Sequence, residues 1–153
     1  MTLDDRMATL SAAPLFSLLD RDALRLIAFA AEERPLGAGD VLFRRGDPSD
    51  GGHVVTRGAI ALDLAGNGDD PAFVAEAGSL IGQTALFADA ERPATAVARE
   101  PSISLRVAPA LMRRVLAEFP EAARRVHEAL ADDLAEFADG LAGVRRRWAA
   151  IGG

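Results

Sequence analysis

The sequence predicts an α+β fold, an antiparallel β sandwich or barrel held between helices at both ends of the chain. Two observations predict it. From about residue 35 to residue 108, short apolar runs recur at roughly ten-residue spacing between turns rich in glycine, proline and aspartate. On either side of this stretch the apolar spacing changes to the three-and-four pattern of a helix.

Along the chain, residues 1–34 are the N-terminal helical region. Leu15, Leu18, Leu19, Leu24, Ile27 and Phe29 recur at helical spacing, which predicts a helix from about Leu15 to Ala31. Asp20-Arg21-Asp22 breaks the run, so two helices with Asp20 or Asp22 as a cap also fit, and Pro35 ends the region. The predicted strands are Val41–Phe43, His53–Thr56, Ala59–Leu64, Ala72–Val74, Ala94–Ala98 and Ile103–Val107. The turns between them include 46–52 (Gly-Asp-Pro-Ser-Asp-Gly-Gly), Arg57-Gly58 and the hairpin pair Asn67-Gly68. Pro109 suits the first turn of a helix whose apolar face is Leu111, Met112, Val115, Leu116 and Phe119. After Pro120 a long helix runs to about Ala150. On it Leu130, Leu134, Phe137, Leu141, Val144, Trp148 and Ile151 form a heptad seam, which either joins two copies of the chain or packs on the same chain. The expectation is one domain over 1–153, with the barrel at 35–108 and the closing helices at 109–151.

Composition narrows the function. Half of the 153 residues are hydrophobic and 26% are charged, the balance of a soluble globular protein. No apolar run is long enough for a membrane span, and the first residues lack the basic and apolar regions of a secretory signal. With no cysteine there is neither a disulfide framework nor a thiolate metal site. These features are those of a cytoplasmic chain without a membrane partner. The net charge of −6 opposes general nucleic-acid binding, where neutralising phosphate dominates affinity. A small anionic ligand would need a local pocket of amides and cations. All 17 basic residues are arginine, and tyrosine is also absent, so no lysine or phenol is available for catalysis. His53 and His127 each lack a second ligand at metal spacing, and no nucleophile–base set is visible. The expectation is therefore no catalytic residue, no metal and no cofactor. Two readings fit Arg145–Arg147: contact with nucleic acid or membrane, or, as is expected here, complementing the negative end of the last helix.

One segment carries binding chemistry. Gly82-Gln83-Thr84-Ala85 forms a turn that opens a short helical stretch, and Arg92 follows nine residues after Gln83. Free amides at a helix start, a glycine that admits close approach and a planar cation facing them would make a cradle for one phosphate. Arg92 beside Asp89 and Glu91 also fits an ordinary ion-paired arginine.

These residues resemble the phosphate-binding cassette of the cyclic-nucleotide-binding domain, as found in the catabolite activator protein and the regulatory subunit of protein kinase A. That cassette reads Gly-Glu-x-Ala-Leu, then Arg-x-Ala. Here it stands as Gly82-Gln83-Thr84-Ala85-Leu86 and Arg92-Pro93-Ala94. Gly39–Asp47 is similar to the family's second and third strands with the turn after them, and Gly58 fits its next turn. The resemblance implies a jelly-roll barrel of about eight strands with N-terminal helices, a cassette helix and two C-terminal helices, the last one long. It implies a site at Ile81, Gly82, Gln83, Thr84, Ala85, Arg92, Pro93 and Ala94 for cAMP or cGMP. In that site Gly82 and Ala85 lend amides to the phosphate, Arg92 pairs with its charge and Gln83 accepts the ribose hydroxyl. Three departures weaken the site. Gln83 is a neutral acceptor where the family has glutamate, Pro93 has no N–H to give, and Phe137 and Ala138 stand where polar base contacts are expected. Each lost bond to a charged group costs about 1.5–3 kcal/mol. The chain stops at Gly153, before the DNA-reading module of the activators, so regulation is expected through a homodimer or a protein partner. Two readings stay open: a stand-alone sensor, or a ligand-independent dimerisation or scaffold module with a degenerate pocket.

Overall fold

The computed structural model describes residues 2–64 and 73–132. Helix α1 (Leu3–Ala12) is started by a reciprocal cap, in which the Thr2 hydroxyl accepts from the Asp5 amide and the Asp5 carboxylate from the Thr2 amide. Helix α2 (Arg21–Ala30) follows a single tight turn at Phe16–Leu18. The predicted continuous helix from Leu15 does not form. Leu15 adopts a left-handed backbone with φ 67°, which helical geometry forbids, and the chain re-enters a helix only after Asp20. Asp20 takes the cap position, but its side chain makes no capping bond.

Eight strands form two antiparallel four-stranded sheets: β1 (Glu32–Leu36), β2 (Val41–Phe43), β3 (Gly52–Arg57), β4 (Ala59–Asp63), β5 (Phe73–Glu76), β6 (Leu80–Ile81), β7 (Thr95–Ala98) and β8 (Ser102–Val107). The orders are β1-β8-β3-β6 and β2-β7-β4-β5. This is the predicted jelly-roll architecture. Two strands had no apolar run to announce them. β1 reads Glu-Glu-Arg-Pro-Leu, and Pro35 lies inside it rather than ending the helical region. A strand tolerates proline there because β1 is at the sheet edge, hydrogen-bonded only to β8. β6 is two residues long, set by pairing with His53 and Val54. The stretch 39–47, expected to hold two strands, holds only β2.

The first sheet is covered on both faces, which explains why β3 is buried at five successive residues rather than alternating. Val54 of β3, with Leu105 and Val107 of β8, packs against α1, α2 and the C-terminal helices. Val55, one residue on, faces the other way into a second cluster between the sheets with Ile60, Ala75, Ile81 and Ala96. Helix α3 (Pro109–Glu118) starts on Pro109 as expected and buries Met112 and Val115. Residues 120–132 are helical and bury Ala122 and Val126 in the same cluster. Leu130, the first residue of the predicted seam, is half-buried and packs on its own chain's core. Leu134, Phe137, Leu141, Val144 and Trp148 lie outside the described residues, as do Ala138 and the Asn67-Gly68 turn. Among the described residues no helix is long and apolar enough to cross a membrane.

Phe29, counted on the buried face of α2, is 78% exposed, whereas Phe16 is fully buried at the centre of the helical cluster. Phe16→Ala should therefore cost about 3–5 kcal/mol of stability. Phe29→Ala should stay within about 0.5 kcal/mol of the parent. Urea unfolding of the two variants measures both, and equal losses would contradict this packing.

Candidate functional site

A cavity of about 280 Å³ opens where the turn after β6 meets the segment before β7. It is lined by Ser49, Gly82, Gln83, Thr84, Ala85, Ala90, Glu91, Arg92 and Pro93. Two predicted site residues are not in its lining. Ile81 is buried in the inter-sheet cluster, and Ala94 is buried at the start of the β7 region. The cassette helix is one tight turn, Thr84–Leu86, so it adds no helix dipole of consequence. The Ala85 amide donates to the Gly82 carbonyl at 3.1 Å.

Arg92 is 3% exposed and is the principal charge of the site. Its Nη2 donates to Asp50 Oδ1 at 2.9 Å and to the Gly51 carbonyl at 2.8 Å. The guanidinium carbon lies 4.3 Å from the centre of the Phe43 ring, within cation–π range. Its Nη1 sits against Gly82, 2.7 Å from where a Cβ would stand, and Gly82 has φ +80°. Glycine is required there twice over, by the backbone conformation and by the guanidinium occupying the side-chain space.

The loop 46–50 is stitched to the arginine segment by backbone bonds. The Gly46 amide donates to the Arg92 carbonyl at 2.8 Å, the Arg92 amide to the Asp47 carbonyl at 2.8 Å and the Ser49 amide to the Ala90 carbonyl at 2.7 Å. The Ala90 amide donates in turn to Ser49 Oγ at 3.0 Å, and Pro48 and Glu91 form a bridge. Asp50 is thereby fixed opposite Arg92. Outward, Asp50 Oδ2 meets Arg34 at 3.5 Å and the Asp50 carbonyl accepts from Arg106 at 2.6 Å. Arg34 and Arg106 share the Glu32 carboxylate, which these two bonds hold below its ordinary acidity range. Burial works to raise the Asp50 carboxyl, but its charged neighbours, including the Arg92 bond and Arg106, outweigh it and the net shift is downward.

His53 lies behind this pair. It is 1% exposed, with Nδ1 3.1 Å from Ser104 Oγ, Nε2 3.8 Å from Asp50 Oδ1, and its ring 6.0 Å from that of Phe43. Burial, then the Arg92 charge, push it down to about 4 against the opposing pull of Asp50, so it is neutral at physiological pH. His53 is structural, the buried support of the Asp50–Arg92 pair. Arg92 is ion-paired, but with Asp50 and not with its sequence neighbours Asp89 or Glu91, and Asp50, Gly51, Phe43 and Ser49 were not singled out. Their partners stand some forty residues away in sequence, and only the aspartate in a turn beside a strand was visible beforehand. Among the described residues no group of three His, Asp or Glu side chains could hold a metal ion.

Comparison with known proteins agrees with this geometry. The family described as "Cyclic nucleotide-binding domain" matches residues 33–119. The chain is similar to the cAMP-dependent protein kinase regulatory subunit of Blastocladiella emersonii, 33% identical over 122 residues, covering 78% of this chain and 30% of that protein. It spans about a third of the length of the curated relatives it matches. Its fold is similar to the N-terminal domain of a transcriptional regulator from Streptomyces coelicolor, with a TM-score of 0.78 and 30% identity, covering 87% of this chain and 94% of that one. It is also similar to a cyclic nucleotide-binding-like protein from Brucella abortus, with a TM-score of 0.65 and 32% identity over 74% of this chain and 99% of that one.

His53 predicts how stability varies with pH. Its folded pKa of about 4 lies below the ordinary imidazole value of 6.5, so between those values the unfolded chain binds more protons and stability falls as pH falls. By pH 5 the loss should reach about 2 kcal/mol relative to pH 7.5. Urea midpoints across that range should decline in the parent and decline less in His53→Gln. Identical slopes would contradict a buried neutral imidazole.

Proposed function

The chain belongs to the cyclic nucleotide-binding domain family, and on that premise we propose that it is a regulatory sensor, not an enzyme. It takes cAMP or cGMP at the Gly82–Ala85 turn and Arg92. The observation that carries this reading is the buried Arg92. Its Nη2 is committed to the protein while its Nη1 faces the glycine turn at the cavity, where one phosphate oxygen could be met. Thr84 and Gln83 stand at the same wall, with Gln83 as the neutral acceptor for a ribose hydroxyl. Ile81 and Ala94 hold the two ends of the cassette from the core. The cavity, near the lower end of the roughly 300–1,000 Å³ usual for small-molecule sites, suits a compact ligand.

The route outward is through Leu86. It follows the glycine turn directly, is fully buried, and shares the helical cluster with Met112 and Val115 of α3. A ligand that draws the Ala85 amide away from Gly82 would move this turn and press on α3. The C-terminal helices would then pass the change to a second copy of the chain or to a protein partner. Such coupling needs unequal ligand affinity for two helix positions.

One observation favours the ligand-independent module instead. Arg92 already has a carboxylate and a carbonyl, the Ala85 amide already has an acceptor, and Pro93 offers no N–H, so the site is satisfied without an anion.

Calorimetric titration of nucleotide-stripped protein with cAMP and cGMP separates the readings. The sensor reading expects saturable binding that Arg92→Ala weakens by about 10- to 150-fold, the loss of one bond to a charged group worth about 1.5–3 kcal/mol. Because Arg92 is buried and paired, the variant's melting curve is measured alongside to confirm that it is folded. Pro93→Ala, which restores an amide, should tighten binding. A folded parent protein that gives no heat at millimolar nucleotide supports the module reading.

A further inference from the structure

We propose that Glu91 is a charge gate, setting the site's preference for a ligand phosphate that carries one negative charge over one that carries two. The inference rests on the nucleotide-binding reading above and adds to it a specificity-determining residue.

Among the described residues, the charged residues in the cavity lining are two, Arg92 and Glu91. Arg92 is not a whole free charge, because Asp50 lies 2.9 Å from its Nη2. Arg34 and Arg106 meet Asp50 through its second carboxylate oxygen and its carbonyl, and neither lines the cavity. A ligand anion at the glycine turn therefore meets one guanidinium face, Nη1, with no second cation among the described residues that line the cavity. A phosphodiester monoanion matches that supply. The second charge of a phosphomonoester finds no second cation among those residues and is opposed by the Glu91 carboxylate.

The backbone of Glu91 is held in place. It bridges to Pro48, and the flanking Ala90 and Arg92 amides are tied to Ser49 Oγ and the Asp47 carbonyl. Its side chain is exposed, and among the described residues it makes no hydrogen bond or ion pair that would neutralise it. The carboxylate is thus anchored at the wall by its main chain and left free to act on whatever enters. Repulsion from a fixed charge scales with the ligand's own charge. Roughly 6 Å of water-like dielectric between unit charges corresponds to about a threefold penalty on a monoanion, and about tenfold, its square, on a dianion.

The experiment measures dissociation constants of cAMP and 5′-AMP at pH 7.5 and low salt for the parent protein and Glu91→Gln. A phosphomonoester is close to doubly charged at this pH, its second pKa being about 6. The expected result is that the parent favours cAMP. In Glu91→Gln, cAMP binding should tighten by about threefold and 5′-AMP binding by about tenfold, so the preference narrows by about threefold. High salt should erase the difference between parent and variant. An unchanged preference in Glu91→Gln, or equal tightening of both nucleotides, overturns the gate while leaving the ligand reading standing. If the folded parent binds neither nucleotide, the ligand reading falls and takes the gate with it.

Discussion

The structure around the site is organised by one constraint, a guanidinium buried almost completely in the protein. Removing such a charge from water costs several kcal/mol unless it is paired and hydrogen-bonded. Arg92 meets that condition with the Asp50 carboxylate, the Gly51 carbonyl and the face of Phe43. Each of these makes further demands. Asp50 must come from a loop held rigidly beside the arginine segment, which the 46–50 stitching supplies. Gly51 sits at φ +127°, with the Val107 carbonyl 2.3 Å from any added Cβ, so its own carbonyl can reach Arg92 only if it has no side chain. The imidazole behind the pair stays neutral, first because it is buried and then because a second cation there would oppose the first.

The fold provides the rigid surroundings. β3 runs through the middle of its sheet, with Val54 facing the helices and Val55 facing the other sheet, and so it cannot shift register without exposing apolar surface on one side or the other. The 46–52 loop leads directly into this strand, and the cassette turn leaves from β6, which pairs with it. Asp50 and Gly82 are thus both set from the most constrained strand in the protein. Leu86 ties the far side of the turn to α3. The cavity wall is therefore continuous with the helical cluster and not an appended loop.

What could be read from the sequence was what is written locally. Six strand runs, the start of α3 at Pro109 and the glycine turn with its arginine all follow from spacing and turn chemistry within a dozen residues. The misses have a common cause. β1 is a polar edge strand containing Pro35, and β6 is a two-residue pairing; both exist because of a neighbour distant in sequence. Leu15 has a helix-compatible side chain in a backbone conformation fixed by tertiary packing, and Phe29 falls on helical spacing yet faces outward. That Gly82, Gln83, Thr84, Ala85, Arg92 and Pro93 line one cavity was legible because they stand in one compact sequence pattern. Asp50 and His53 were not, because what makes them matter is the burial of a charge about forty residues away.

The chain has no lysine, and at position 92 the geometry gives arginine a chemical reason. One nitrogen, Nη2, is spent on the protein, and another, Nη1, is turned toward the glycine wall. A planar fork can serve both directions at once, holding Asp50 while meeting an incoming anion. An ammonium is a point charge and would have to leave the carboxylate to reach the ligand, exposing a buried acid at the moment of binding. On the reading proposed above, a bound anion would add to the internal pair and not replace it, and the charge offered to it is what Asp50 leaves over.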